Sequence, residues 1–439
     1  MTRTAALLPP IGPVPPLTIP PTADVRLPSG LRVVAVRYPS IPMAELRLAI
    51  PLDAASSHTG AVHELLAATL LHGTPRRSRH TITDELAVSG AALAASRTSR
   101  WLGLTGSGPA AALPTLLAVL ADSLTGAAHA DDAVHAARDR ARRQIATTRR
   151  QPQVIASEAL LDQLYGDLPR MQDVPRGDAI AAVGPDDVRH AHRTVVRPDN
   201  AFLVLVGDLA PEAAVAEAAR ALQPWRALSP GQDPGTAPQL PVLRRPGTAW
   251  VHRPGAVQSQ IRLVRPAIGR DHPDFAALTL ANIVFGGYFS SRLVADVRER
   301  RGLAYRCEAA FRDHLDQLVI SLEADTATAS APETLRRIHA QLRLMAEQPP
   351  SAAEVEAARR YVTGMTALAT SSQQAWAGSL LMSLTLSQEP DRIAHFLDAL
   401  TRVTVEDVAA AAARFYDPAD YHGIVLGDTA HLTDTDPSL

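Results

Sequence analysis

Two stretches, Val183–Asp208 (VGPDDVRHAHRTVVRPDNAFLVLVGD) and Val403–Asp428 (VTVEDVAAAAARFYDPADYHGIVLGD), keep one register along their whole length. A constant offset of 220 pairs Val183 with Val403, Asp187 with Asp407, Val188 with Val408, Pro198 with Pro418, Gly207 with Gly427 and Asp208 with Asp428. Each stretch reads as a helix, a proline turn and an apolar strand, in that order. Such register marks an internal duplication and predicts an α+β chain of two similar sandwich domains.

The rest of the chain divides around this repeat. Residues 227–247 (ALSPGQDPGTAPQLPVLRRPG) are dense in proline and glycine and read as a linker. Residues 1–22 are proline-rich and read as an extended arm, since proline lacks the backbone donor that helices and inner strands use. The two domains are then 23–226 and 248–432, each of normal domain size. Within the first, LRVVAVRY and AELRLAIP flank the turn PSIP and read as a hairpin. Helical patterns follow at 60–72, 110–124 and 131–150, and NAFLVLVGD reads as a buried strand.

Composition removes several function classes. With 46% hydrophobic residues, 439 residues are enough for two sizeable cores. A net charge of -2 argues against a general nucleic-acid binder. The single cysteine, Cys307, rules out an internal disulfide or a CxxC motif and suits a reducing compartment. The prolines interrupt any signal-type apolar core, and no stretch approaches the ~18 apolar residues of a membrane span. The expectation is a cytoplasmic protein with no membrane and no nucleic-acid partner.

One helix invites a chemical reading. VHELLAATLLHGT, Val62–Thr74, opens an HExxH pattern with His63 and Glu64, but Ala67 stands where the second histidine belongs. Helical metal ligands must lie one turn apart, and His72, nine positions after His63, points to the opposite side. The helix itself is well specified, with Ser57 or Thr59 as cap, a stripe of Val62, Leu65, Leu66 and Thr69, and Gly73 at its end. An amphipathic core helix accounts for the pattern; a non-standard metal site would have to use His58, His63 or Glu64.

The run AVHELLAATLLHGT resembles the zinc helix of the insulinase/pitrilysin and mitochondrial-processing-peptidase family, the inverted zincins with HxxEH. Aligned on Gly73 and Thr74, that family's first histidine falls on Glu64, its general-base glutamate on Ala67 and its second histidine on Ala68. The distal zinc glutamate falls on Gln144, and a further acidic position on Ala137. Gln144 is a weak neutral donor, and Arg140 one turn before it opposes a bound cation. The resemblance therefore implies a chain that holds no metal or other cofactor of its own.

The second domain is more similar. FGGYFSSRLVADVRERRGLAYRCEA resembles the family segment whose arginine and tyrosine hold the scissile peptide, and these fall on Arg301 and Tyr305. A guanidinium and a phenol suit negative charge developing on a carbonyl oxygen. In that family an edge strand also presents itself to extended peptide; its counterpart here is GAALAASRTSRW, with Ala94 and Ala95 at the centre and Arg97 and Arg100 adding charge. The basic run Arg138–Arg150 reads either as a solvated helix face or as a wall for an acidic peptide segment.

The resemblance implies two duplicated α/β-sandwich domains forming half of a clam-shell, and a pseudoenzyme subunit. Its partner would be a homologous HxxEH chain carrying the zinc, and its substrate a peptide, in precursor or leader processing or in general turnover. Two other readings stay open: a non-hydrolytic peptide-binding or scaffold subunit, and a stand-alone hydrolase with a non-standard metal site. No GxSxG elbow is present, and Cys307 reads as a buried small residue rather than a nucleophile.

Overall fold

Apolar runs on both faces decide which strands lie at the centre. RVVAVR and FLVLVG alternate inward and outward apolar residues, so both faces need cover. In the computed structural model, which describes residues 17–226, 247–315 and 317–431, these two strands run parallel in the middle of a six-stranded sheet. It comprises β1 (Thr22–Arg26), β2 (Arg32–Arg37), β3 (Met43–Pro51), β4 (Ala92–Arg97), β5 (Trp101–Pro109) and β6 (Phe202–Gly207). Their order is β1-β2-β6-β3-β5-β4.

The expected β2–β3 hairpin does not form. The two strands are antiparallel to one another, but β6 inserts between them and pairs with both. The connection through PSIP therefore spans two strand spacings, about 10 Å, instead of closing a turn. Burying both faces of β6 outweighs the local turn preference. Nor does the arm stay free to its end, because Thr22 begins β1 along β2. Residues 1–16 of the expected arm and 227–246 of the expected linker lie outside the described residues.

The second sheet repeats the first. Strands β7 (Thr248–His252), β8 (Gln258–Pro266), β9 (Ala304–His314), β10 (Gln317–Ala327) and β11 (His422–Gly427) are ordered β7-β11-β8-β10-β9. Replacing β2, β6, β3, β5 and β4 by these in turn reproduces the first sheet without β1, including the parallel pair, which here lies at the edge because no counterpart of β1 covers β7. The aligned residues have physical reasons. Asp187 and Asp407 each accept the backbone N–H three residues earlier at 2.8 Å and cap equivalent helices. A Cβ on Gly207 would lie 2.3 Å from the Met43 carbonyl oxygen, and one on Gly427 would lie 2.0 Å from Ser259 Oγ.

A buried arginine repeats as well. Arg47 in β3 donates to the Leu46 and Gly106 carbonyls at 2.8 and 3.2 Å, and Arg262 in β8 donates to Ile261 and Ala324 at the same two distances. Glu45 pairs with the first and Asp325 with the second, which keeps either charge from being stranded in the sheet.

Each sheet buries one face against its own helices. Val33, Leu46, Leu48, Leu203 and Leu205 meet Leu65, Leu66, Leu117 and Leu120 in the first core. Ile261, Leu263, Ile320, Leu322 and Val425 meet Leu278, Leu335, Leu342 and Val408 in the second. The other faces are covered by exchange. The Gln373–Thr385 helix of the second half lays Trp376, Leu380 and Leu384 on Val34, Val36, Val204 and Val206 of the first sheet. Reciprocally, the Pro152–Tyr165 helix of the first half lays Leu160, Leu164 and Tyr165 on Val264, Val319, Ile424 and Leu426. These two helices are themselves about 220 residues apart, so the duplication extends to the swapped cover. Among the described residues no single helix is long and apolar enough to cross a membrane.

Candidate functional site

The opening helix runs Ser57–Thr69, with Ser56 rather than Ser57 or Thr59 as its cap, accepting from the Thr59 N–H at 3.1 Å. Its core stripe turns Glu64 to the half-buried flank, buries Ala67 and leaves Ala68 exposed. Arg97, from the end of β4, reaches this flank. Its Nε donates to Glu64 Oε2 at 2.8 Å, its Nη2 donates to the Asp173 carbonyl at 2.9 Å, and its side chain is 3% exposed. A cation already satisfies the one carboxylate of the degenerate motif, and it belongs to the chain.

The neighbouring groups fit a metal no better. His63 is buried with its Nδ1 unbonded, and burial together with the Arg97 charge pushes it down to about 4, so it is neutral at pH 7. His58 is exposed on the first turn. On the Asp131–Thr148 helix, Ala137 packs in the core, while Gln144 is exposed and donates to Thr148 Oγ1 at 3.4 Å. Two alanines without donors, a glutamate held by arginine and a solvent-facing amide do not hold zinc. Among the described residues no cluster of three or more His, Cys, Asp or Glu is placed to bind a metal.

Sequence reasoning missed a polar chain beneath this helix. Thr69 Oγ1 lies 2.7 Å from His129 Nδ1, and His129 Nε2 lies 3.0 Å from His192 Nδ1, all three residues being buried. Burial depresses both imidazoles, His129 to about 3 and His192 to about 4. They are neutral hydrogen-bonding groups that tie the Ser57–Thr69 and Pro185–Val195 helices to the loop carrying His129. Their partners lie about 60 residues apart in sequence, so no local spacing announces them.

The edge strand lies beside the opening helix. β4 pairs with β5 alone in the sheet, so its other backbone edge is open. Alternation leaves Ala94 exposed and turns Ala95 into the core. Beyond the strand, Ser99 N–H bonds Asp173 Oδ1 and the Arg100 guanidinium bonds the Leu315 carbonyl, which joins the β4–β5 tip to the β9–β10 tip.

The Arg301 and Tyr305 segment is built differently. Two π-helical turns, Ile283–Gly287 and Ala295–Arg300, precede it, a rare geometry that concentrates at functional sites. The second ends where Gly302, at φ +62, lets its N–H bond the Arg298 carbonyl and the Leu303 N–H bond that of Val297. The reversal puts Arg301 at the helix end and Tyr305 near the start of β9, both on the surface. Arg301 is 37% exposed, with Nε bonded to Asp296 Oδ1 at 3.2 Å; Tyr305 is 86% exposed, and its hydroxyl meets no protein partner among the described residues. Cys307, two residues on, is buried and its thiol is pushed up to about 12, which leaves it inert.

The fold does not bring the two groups of candidate residues together. Arg97 sits near the tip where the domains meet, whereas Tyr305 lies nine residues back along β9 from His314, about 30 Å of strand. Arg301 and Tyr305 thus face solvent well away from the Glu64 and Arg97 pair.

The chain is similar to known proteins along most of its length. Residues 182–362, which include Arg301 and Tyr305, match the family model described as the peptidase M16 inactive domain. An uncharacterized zinc protease of Streptomyces coelicolor is 25% identical over 398 residues, 88% of this chain and 85% of that protein. One of Mycobacterium tuberculosis is 25% identical over 417 residues, 91% of this chain and 92% of its own length. Two solved structures share the fold. A peptidase M16 inactive domain from Pseudomonas fluorescens superposes with a TM-score of 0.79 at 22% identity, covering 92% of this chain and 97% of that one. A protease from Helicobacter pylori gives 0.81 at 17% identity, covering 93% and 99%.

Proposed function

From a chain that carries a peptidase M16 inactive domain across residues 182–362, we propose a non-catalytic subunit of a two-chain zinc peptidase. The observation that carries this reading is the contrast between its two surfaces. The metal face is closed by an internal ion pair, Arg97 with Glu64, while Arg301 and Tyr305 are presented to solvent with donor atoms to spare. A homologous HxxEH chain would supply the zinc and the hydrolytic step. This chain would supply the guanidinium and phenol that hold the peptide carbonyl, with β4 available to pair with an extended backbone beside Ala94 and Ala95.

The experiment has two parts. The chain alone, loaded with zinc and freed of excess, retains less than about a tenth of an equivalent, since it lacks a ligand set. Reconstituted with an HxxEH homologue, it supports peptide cleavage, and Arg301→Met or Tyr305→Phe lowers kcat on the order of 100-fold, the usual loss for a transition-state donor. A full equivalent of zinc held by the chain alone, or wild-type rates in both variants, would overturn the proposal.

A further inference from the structure

We propose that the free edge of β7 takes an extended acidic segment of a partner protein as an added strand, whose side chains enter a cleft lined by Arg336, His339 and Arg343. This edge is separate from the Arg301 and Tyr305 surface, because β7 and β9 bound the second sheet on opposite sides, roughly 19 Å apart at the usual strand spacing.

The duplication shows what this edge lacks. In the first sheet β2 pairs with β6 on one side and with β1 on the other; in the second, β7 pairs with β11 alone. The Gly247 carbonyl accepts from the Gly423 N–H, and the Arg253 N–H donates to the Gly427 carbonyl, so the alternate residues from 247 to 253 face β11. Thr248, Trp250 and His252 therefore turn their N–H and C=O groups outward, where the described residues offer them no partner. Their counterparts Val33, Ala35 and Arg37 turn theirs toward β1, and the Arg37 N–H donates to the Pro21 carbonyl at 2.9 Å. β7 holds no proline, lysine or arginine that would block such pairing. At the place in sequence that corresponds to Ala23, the residue opposite Ala35, stands Pro238, which has no N–H to give.

Beside this edge lies an open cleft of about 1080 Å3, lined by Thr248, by Arg336, His339 and Arg343 of the Ala331–Glu347 helix, and by Tyr421 and His422 where β11 begins. In the first domain the Pro211–Ala221 helix fills this place, setting Ala214, Val215 and Ala218 into the core beside β2. Among the described residues no such helix follows β11. The lining differs accordingly. Trp250 stands where β2 has Ala35, and His339 stands where the Leu113–Gly126 helix has Ala121, both helices following a strand and a three-residue 3-10 turn. Two alanines that a helix can lie against are replaced by large rings with polar edges, and the His339 Nε2 is buried without a partner. That lining suits polar side chains entering singly from a strand, not a second helix. Arg336 and Arg343 are exposed, lie two turns apart on one helix face and form no ion pair among the described residues. Glu347 and Asp417 also line the cleft, but Glu347 is the last residue of its helix and Asp417 Oδ1 accepts from the Ala419 N–H at 2.9 Å. The backbone edge supplies the pairing, and the two free guanidiniums select carboxylates at alternate positions of the added strand.

The test uses the full chain and the peptide TETETET, acetylated and amidated at its ends. Binding slows hydrogen exchange at the outward amides of Thr248, Trp250 and His252 by about tenfold or more, while Ala249 and Val251, already bonded to β11, change little. The lysine peptide TKTKTKT binds at least about tenfold more weakly, and reversing both charges, Arg336→Glu with Arg343→Glu, weakens TETETET by a similar factor. TETETET methylated on alternate backbone nitrogens keeps its charges, loses its strand donors and does not bind. Three results each overturn the proposal: no protection of the three outward amides, equal affinity for the acidic and the lysine peptide, or unchanged affinity after the double charge reversal. Amides already protected in the free chain also overturn it. Sedimentation then tells a second copy at this edge, which gives a dimer, from cover by the chain's own residues, which leaves a monomer.

Discussion

Arg97 in the first domain and Arg301 in the second are both guanidiniums beside a carboxylate, and they are used in opposite ways. Arg97 points inward, spends its nitrogens on Glu64 and the Asp173 carbonyl, and is lost to solvent. Arg301 gives one nitrogen to Asp296 and presents the others. One duplicated scaffold therefore carries a charge closed off within the chain and a charge left open to solvent. Residue type does not distinguish the two; the number of acceptors around each does.

The comparison depends on two domains that are each folded through the other's helix, and this is the part a mutation breaks most severely. Trp376 is buried on the outer face of the first sheet, although it belongs to the second half. Trp376→Ala leaves a large cavity there and costs about 3–5 kcal/mol in equilibrium denaturation. Hydrogen exchange should quicken in β3 and β6, strands of the first domain, before it does so in β8 or β11. Faster exchange confined to the second sheet would show that the helix covers its own half.

His63 offers a pH-dependent way to sharpen the contrast. Its folded value of about 4 lies below the ordinary 6.5, so unfolded chains bind this proton first as the pH falls. The contribution is complete above pH 6.5 and is eroded as the pH drops toward 4, with about 3 kcal/mol at stake over that window. His63→Leu should flatten the stability profile there; an unchanged slope would place the titrating groups elsewhere, with His129 and His192 the next to replace. The Arg97 pair contributes less, because Glu64 is partly exposed and solvent screens it. Arg97→Met should cost about 1–2 kcal/mol in a thermal melt and still create no zinc site, since Ala67 and Ala68 offer no donor.

Much of this was legible in the sequence, for reasons that can be named. The offset of 220 disclosed the duplication because Asp187 and Asp407 cap equivalent helices and Gly207 and Gly427 tolerate no side chain; each is required by backbone geometry. The missing metal pair was legible because helical ligands must sit one turn apart. What stayed hidden is long-range. Nothing local says that β6 separates β2 from β3, that two helices exchange sheets, or that Arg97 crosses to Glu64. The same limit hid the contacts of Asp296 with Arg301 and of Arg298 with Phe289 and Tyr305, since neighbouring charged residues look interchangeable until partners are assigned.

The smallest effect tests the converse, whether an exposed guanidinium is enough by itself to bind a ligand. Arg142 and Arg143 on the Asp131–Thr148 helix are exposed, and the described residues give them neither a stacking ring nor a buried carboxylate. Held by nothing, each would have to lose its side-chain entropy on meeting a peptide, and salt screens the attraction that remains. Reversing both charges, Arg142→Glu with Arg143→Glu, should therefore change stability by less than about 0.5 kcal/mol. Peptide affinity in the assembled complex should change less than about twofold, as expected for screened surface charge. A tenfold loss that disappears at high salt would instead make this helix a wall for acidic peptide segments, and the preorganisation seen around Arg301 would then be unnecessary for binding, leaving it a purpose only in the step that follows.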